Sequence, residues 1–275
     1  GTIAIQTGAS QTGASGGVAL MTGDSTAGRS GGINLLVGSG DTGNGGAVNI
    51  TAGDSNAGDG GGISVHGGTG TGAGSFGGSI ELLAGEGVAS GGSLKLLSGE
   101  SPSGASGAVT IGTADALTRG HSGSITVASG AAGAGNSGSV VIESGESTSG
   151  QGGGIIGSVG TGTRGAGGDE SVSAGNTSAI SRGGHVLLKG GQGATGGMIE
   201  LVSGEGTESS GGAIVLSVGE GFDNAGGIVN ITAGRTDGTL VDGGSITVMG
   251  GESAGSGGTG GALTMTGGVG SEQTG

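Results

Sequence analysis

An all-β fold, a parallel β-solenoid of eighteen repeats, is what three features of this 275-residue sequence predict. Aliphatic pairs recur at a nearly fixed spacing, the two members of each pair alternate with one intervening residue, and glycine recurs at a fixed offset from each pair. The clearest sign of repetition is "VNITAG", which runs from Val48 to Gly53 and returns unchanged from Val229 to Gly234. Repeats of this kind have to be found before any other reading, because missing them mis-assigns the whole fold.

The register is set by the first residue of each aliphatic-x-aliphatic pair. The series is Ile3, Val18, Ile33, Val48, Ile63, Ile80, Leu94, Val109, Ile125, Val140, Ile155, Glu170, Val186, Ile199, Ile214, Val229, Ile246 and Leu263, a mean spacing of about 15 residues. The "VNITAG" copies are repeats four and sixteen. With U for aliphatic, the consensus is G-(A/S)-U-x-U-x-x-G-(D/E/T)-(S/G)-x-x-G-x-(S/G).

Alternation at U-x-U has period two, so this segment predicts a short strand with one covered face, and Val and Ile suit it. Glycine five residues after the first U, as at Gly23, Gly38, Gly53, Gly68, Gly85, Gly99, Gly130 and Gly145, predicts a bend needing positive φ or close backbone approach. Spacings of 17, 16 and 13 fall between that glycine and the next strand, where a loop absorbs them. A helix is excluded, since interior glycine costs about 1 kcal/mol per position.

The residues between the two U positions match at adjacent repeats: Asn34 with Asn49, Glu81 with Lys95, Thr110 with Thr126 and Thr247 with Thr264. This matching predicts one repeat per coil, with ladders between neighbouring rungs. The alternative is two repeats per coil, with aliphatics facing each other. Residues 1–275 are expected to form a single continuous array without separate domains. An irregular segment is expected near 157–172, where Gly157 replaces an aliphatic and Glu170 occupies an inward position beside Asp169. A bulge, or a partner such as Arg164 or Arg182, would accommodate that carboxylate.

Composition bounds the function. The chain holds 82 Gly, one Pro, two Phe and no Cys, Trp or Tyr, which excludes disulfide scaffolds, thiol chemistry and an aromatic core. Almost no Pro and no G-X-Y period exclude collagen. Seven Lys and Arg against 21 Asp and Glu give a net charge of −14, which argues against nucleic-acid binding. No run of about 18 apolar residues is present, so no membrane span is expected. His66, His121 and His185 fall in different repeats without ligand spacing, and no motif points to an enzyme or a cofactor.

Two sets of residues are candidates for chemistry. The residue after the bend position, which is glycine except at Ala114, is acidic at Asp24, Asp54, Glu86, Glu100, Asp115, Glu146, Glu205, Glu220 and Glu252. In a stack these carboxylates would form a solvated edge that limits lateral sticking, or would bridge divalent cations such as calcium. Asn49, Asn176 and Asn230 begin N-x-(S/T) sequences and are glycosylation candidates. A Thr-x-Thr ice-binding column is represented only by Thr264-Met265-Thr266.

Repeats such as "GGSLKLLSGES" (Gly91 to Ser101) and "GGAIVLSVGEG" (Gly211 to Gly221) resemble glycine-rich repeats of large secreted surface proteins. They are similar to those of algal extracellular proteins and of filamentous-haemagglutinin-type adhesins. The resemblance implies a parallel β-solenoid used as a fibre, stalk or adhesive surface, located outside the cell. The array begins and ends in phase, so two alternatives are expected: the sequence is cut from a longer repeat array, or copies associate head to tail, with lateral contact as a further option, into a filament or fibrous layer. The alternative is a cation-dependent adhesin or an ice-binding surface.

Overall fold

The structure, a computed structural model, describes residues 1–117, 120–178, 180–222 and 225–268. It corrects the expected fold class. Among the described residues there is no helix and no strand, and therefore no β-solenoid, with one repeat per coil or with two. Among the described residues no helix is long and apolar enough to cross a membrane.

Surface area gives the scale of the difference. A folded monomer of 24.6 kDa would expose about 10,000 Å² and its unfolded chain about 36,000 Å². This chain exposes 27193 Å², nearer the second figure. No residue among those described is buried, and the aliphatics of the register stand in solvent. Two aliphatics per repeat, in a chain with 82 Gly, supply too little apolar area to offset the entropy of ordering a stacked coil. The chain divides into two compact units, Gly1–Val140 and Val141–Gly275.

Order is local, and it lies within the repeat. After the aliphatic pair the backbone reaches the bend glycine, turns at a tip, and comes back to the glycine that stands two residues before the next pair. There the repeat closes. The amide of this second glycine donates to the carbonyl of the bend glycine, as in Gly61 to Gly53 at 2.9 Å, Gly78 to Gly68 at 2.8 Å and Gly244 to Gly234 at 2.9 Å. Among the described residues nine repeats close this way, over six residues from Gly191 to Gly197 and over ten from Gly251 to Gly261. The tip loop thus absorbs the variation in repeat length while the bond stays the same. These bonds engage within the repeat groups that a ladder would have paired between repeats.

The residue just before the bend glycine faces the closing glycine. It is Thr7, Thr22, Val37, Ala52, Gly67, Ala84 and so on, and in no repeat is it larger than Val. A Cβ placed on Gly61 would lie 3.4 Å from Ala52 Cβ and 3.3 Å from the Gly53 nitrogen. One placed on Gly78 would lie 2.9 Å from the Gly68 nitrogen. The closing position is glycine in all eighteen repeats, Gly1 to Gly261, and close approach of two backbone segments explains it at Gly61, Gly78, Gly184, Gly197, Gly244 and Gly261, whereas at Gly16, Gly31 and Gly138 a Cβ would make only ordinary contacts. Ala52, Ala174, Gly190, Ser203 and Ala233, all at the facing position, are among the few residues that are even half-buried.

Side chains modify the closure in two ways. In repeats one, two and ten, Thr7, Thr22 and Ser144 donate their hydroxyls to the carbonyls of Gly16, Gly31 and Gly153, at 3.0, 3.3 and 2.8 Å. Where the facing residue is Val the closing bond is not formed. The Cγ1 atoms of Val37 and Val159 lie only 2.7 and 2.8 Å from where a Cβ would stand on Gly46 and Gly168, so the branched side chain holds the segments apart.

Three tips are made by Ser-x-x-Gly. Ser55, Ser101 and Ser147 accept the amides of Gly58, Gly104 and Gly150 through their hydroxyl oxygens, at 2.9, 3.0 and 3.0 Å. Positive φ occurs at tips, for example Gly43 (80°) and Gly74 (79°), and at Leu240 (61°), where a non-glycine residue sits in the left-handed region. The bend glycines have no positive φ, and a Cβ on Gly23, Gly38, Gly53, Gly68, Gly85, Gly99, Gly130 or Gly145 would meet nothing within 4 Å, so neither expected reason for glycine at the bend is found there; the close approach falls on the closing glycine instead.

Candidate functional site

The feature with the most regular geometry is the exposed aliphatic register. Exposure within a repeat falls toward the closure: Leu35 is 76% exposed, Ile33 53% and Val37 42%. Ile33 and Val37 lie beside the closing segment, and Leu35 projects between them without cover. The same pattern recurs in Ile214, Leu216 and Val218, and the x positions add exposed Met21, Leu36, Leu83, Leu97 and Met249. Both sides of the extended segment therefore carry apolar surface that the chain itself leaves uncovered.

The carboxylates are not gathered. Asp24, Asp54, Glu86, Glu100, Asp115, Glu146, Glu205, Glu220 and Glu252 are all exposed, and among the described residues no three His, Asp or Glu side chains come together as a metal site. His66, His121 and His185 are exposed and separate, and no cavity is present among the described residues. Because the repeats close on themselves instead of stacking, the acidic positions do not become a ladder of charges about 4.8 Å apart.

Glu170 is exposed and forms no ion pair with Arg164 or Arg182. A Cβ on Gly157 would come within 3.3 Å of Glu170 Oε1, so the missing aliphatic at 157 leaves the space that the carboxylate uses. The one ion pair among the described residues joins Arg235 Nη2 to Asp237 Oδ1 at 2.9 Å, with both side chains largely exposed.

The three glycosylation candidates are exposed, and two of them differ in local geometry. At Asn230 the Thr232 hydroxyl donates to the carboxamide oxygen, Oγ1 to Oδ1 3.1 Å. Asn49 and Thr51, in the identical hexapeptide, form no such bond. Sequence reasoning missed the closing glycines and the small residues that face them. Their signal was present as one position that is always glycine and another that never exceeds Val.

No family model, no curated protein and no solved structure matches the chain.

Proposed function

We propose that this chain is a structural, non-enzymatic, extracellular protein whose copies associate head to tail into a filament or fibrous surface layer. The observation that carries the reading is the uncovered aliphatic register. A surface that repeats every 15 residues, as from Ile3 through Val18, Ile33 and Val48 to Ile63, is matched along its length only by another surface of the same period. A second copy provides that period. Copies offset by whole repeats keep the aliphatics in register and leave overhanging repeats that recruit the next copy, which makes an open, non-closing assembly. The net charge of −14 keeps such assemblies soluble and limits indiscriminate lateral contact. The resemblance to glycine-rich repeats of secreted surface proteins supports the extracellular location.

Electron microscopy and sedimentation of the full chain over a range of concentrations test this. Fibres or elongated oligomers are expected, and replacing Val48 and Ile50 by Asp should reduce them. Dispersed monomers at every concentration would overturn the reading.

A further inference from the structure

We propose that, of the two identical Asn-Ile-Thr sites, Asn230 is preferred over Asn49 as an acceptor for an N-linked glycan. The argument starts from the two identical "VNITAG" segments, Val48–Gly53 and Val229–Gly234. Each contains an Asn-Ile-Thr sequence, and each Asn is exposed. Only in the second does the threonine hydroxyl donate to the asparagine carboxamide oxygen, at 3.1 Å. Identical sequence with different geometry makes the pair an internal comparison within one molecule.

The bond bears on the chemistry of transfer. A carboxamide nitrogen is a poor nucleophile, because its lone pair is delocalised into the carbonyl. A hydroxyl donating to the carbonyl oxygen stabilises the negative charge that grows there as the nitrogen gives up a proton. In the step itself the nitrogen forms a bond to the anomeric carbon of a lipid-diphosphate-linked oligosaccharide. The bond from that carbon to the phosphate oxygen breaks, the lipid diphosphate leaves with the electron pair, and the amide proton passes to a carboxylate base of the transferase. At Asn230 the donor is already in place, whereas at Asn49 it has to be oriented first, at an entropic cost.

Location and structure agree with access by an enzyme. The bond places Asn230 and Thr232 on one side of the extended segment, so the alternating Val229 and Ile231 point to the other. A glycan at Asn230 would leave those two aliphatics free. The segment that follows is ordered next to the site by the Arg235–Asp237 pair and by the Gly238 amide donating to Thr236 Oγ1 at 3.2 Å.

This inference rests on the extracellular reading for its occurrence in cells, and acceptor competence can be tested without it. The full chain would be incubated with detergent-solubilised oligosaccharyl transferase and a lipid-diphosphate oligosaccharide, treated with amidase in heavy-oxygen water, and mapped by mass spectrometry. Asn230 should be modified about fivefold faster than Asn49, the ratio that one hydrogen bond of ordinary strength contributes. Thr232→Ser should keep modification at Asn230, and Thr232→Val should abolish it there while leaving Asn49 unchanged. Equal rates at both copies, faster modification at Asn49, or no glycan at either would overturn the proposal. The same mapping on protein recovered from outside cells separates the two ideas. Unmodified Asn230 on a secreted chain would defeat the glycosylation site and leave the filament reading standing.

Discussion

Replacing Gly78 by Ala should open repeat five without unfolding its neighbours. A Cβ at position 78 would stand 2.9 Å from the Gly68 nitrogen, and the atom it meets is backbone, which cannot rotate away. Restoring an ordinary contact at 3.4 Å moves the two segments about 0.5 Å apart. The Gly78 to Gly68 bond, 2.8 Å long, is then carried past about 3.2 Å, the limit of normal N–H···O geometry. The loss is about 1 kcal/mol of local stability, or about a fivefold fall in protection of the amide at position 78. Against this, alanine restricts the unfolded chain by about 0.4–1 kcal/mol, so global stability should barely change. Gly85→Ala is the control. A Cβ at position 85 would meet nothing within 4 Å and the residue's φ is not positive, so only the unfolded-state effect acts. Protection of the Gly92 amide, which donates to Gly85, should rise about two- to fivefold. Residue-resolved hydrogen exchange reads both. Unchanged or increased protection at position 78, or equal effects at 78 and 85, would refute the closure argument.

Val37→Ala should let repeat three close as its neighbour does, because it removes the Cγ1 that holds Gly46 away; the Gly46 amide should then exchange about fivefold more slowly. Ser55→Ala should remove the tip bond to the Gly58 amide at a cost of about 1 kcal/mol, visible as faster exchange at Gly58 alone. Ile50→Asp should suppress self-association measured by sedimentation, whereas Asn49→Asp, on the alternate position, should leave most of it; equal losses would show that the sides are misassigned. Replacing Glu86, Glu100 and Asp115 together by their amides brings the chain three charges nearer neutrality and should promote lateral association at low salt, seen as light scattering; no change would remove the carboxylates from any part in solubility.

The repeat itself was legible in the sequence, and so was the division of each repeat into an extended aliphatic segment and a variable tip. What was not legible is where the hydrogen bonds go. Alternation at Val48-Asn49-Ile50 is compatible with a ladder to the next repeat and with an extended segment that pairs with nothing. The deciding residues lie elsewhere, at Ala52 and Gly61, where two small positions let the backbone meet itself nine residues on. A search for apolar periodicity passes over them because neither is strongly apolar. The acidic column shows the same dependence. Its members were expected to face one another only because stacking was expected, and without stacking Glu86, Glu100 and Asp115 belong to separate tips. The hydroxyl bond at Asn230 was also invisible, since Asn49 has the same six residues around it and lacks the bond.

On the filament proposal, the specificity of the chain lies in its period. Nine of the described repeats satisfy part of their backbone internally, through a glycine contact that spans six to ten residues, and the aliphatics are left outside. Internal closure reduces the number of free amides and carbonyls at that point, so an approaching copy finds apolar side chains to cover before it finds an open backbone edge. Apolar contact is non-directional, and on its own it would allow any register. The even spacing of Ile3, Val18, Ile33, Val48 and Ile63 restores selectivity, because only offsets of whole repeats align every pair at once. In later repeats the spacing wanders between 13 and 17, and the same offset then aligns fewer pairs. The first five repeats are therefore the segment where pairing of copies should begin. A chain with the spacing in that segment altered by one inserted glycine in a tip, for instance beside Asn44, should associate more weakly than one with the same insertion in the already uneven region after Val229. Equal weakening by both insertions would show that register has no part in association.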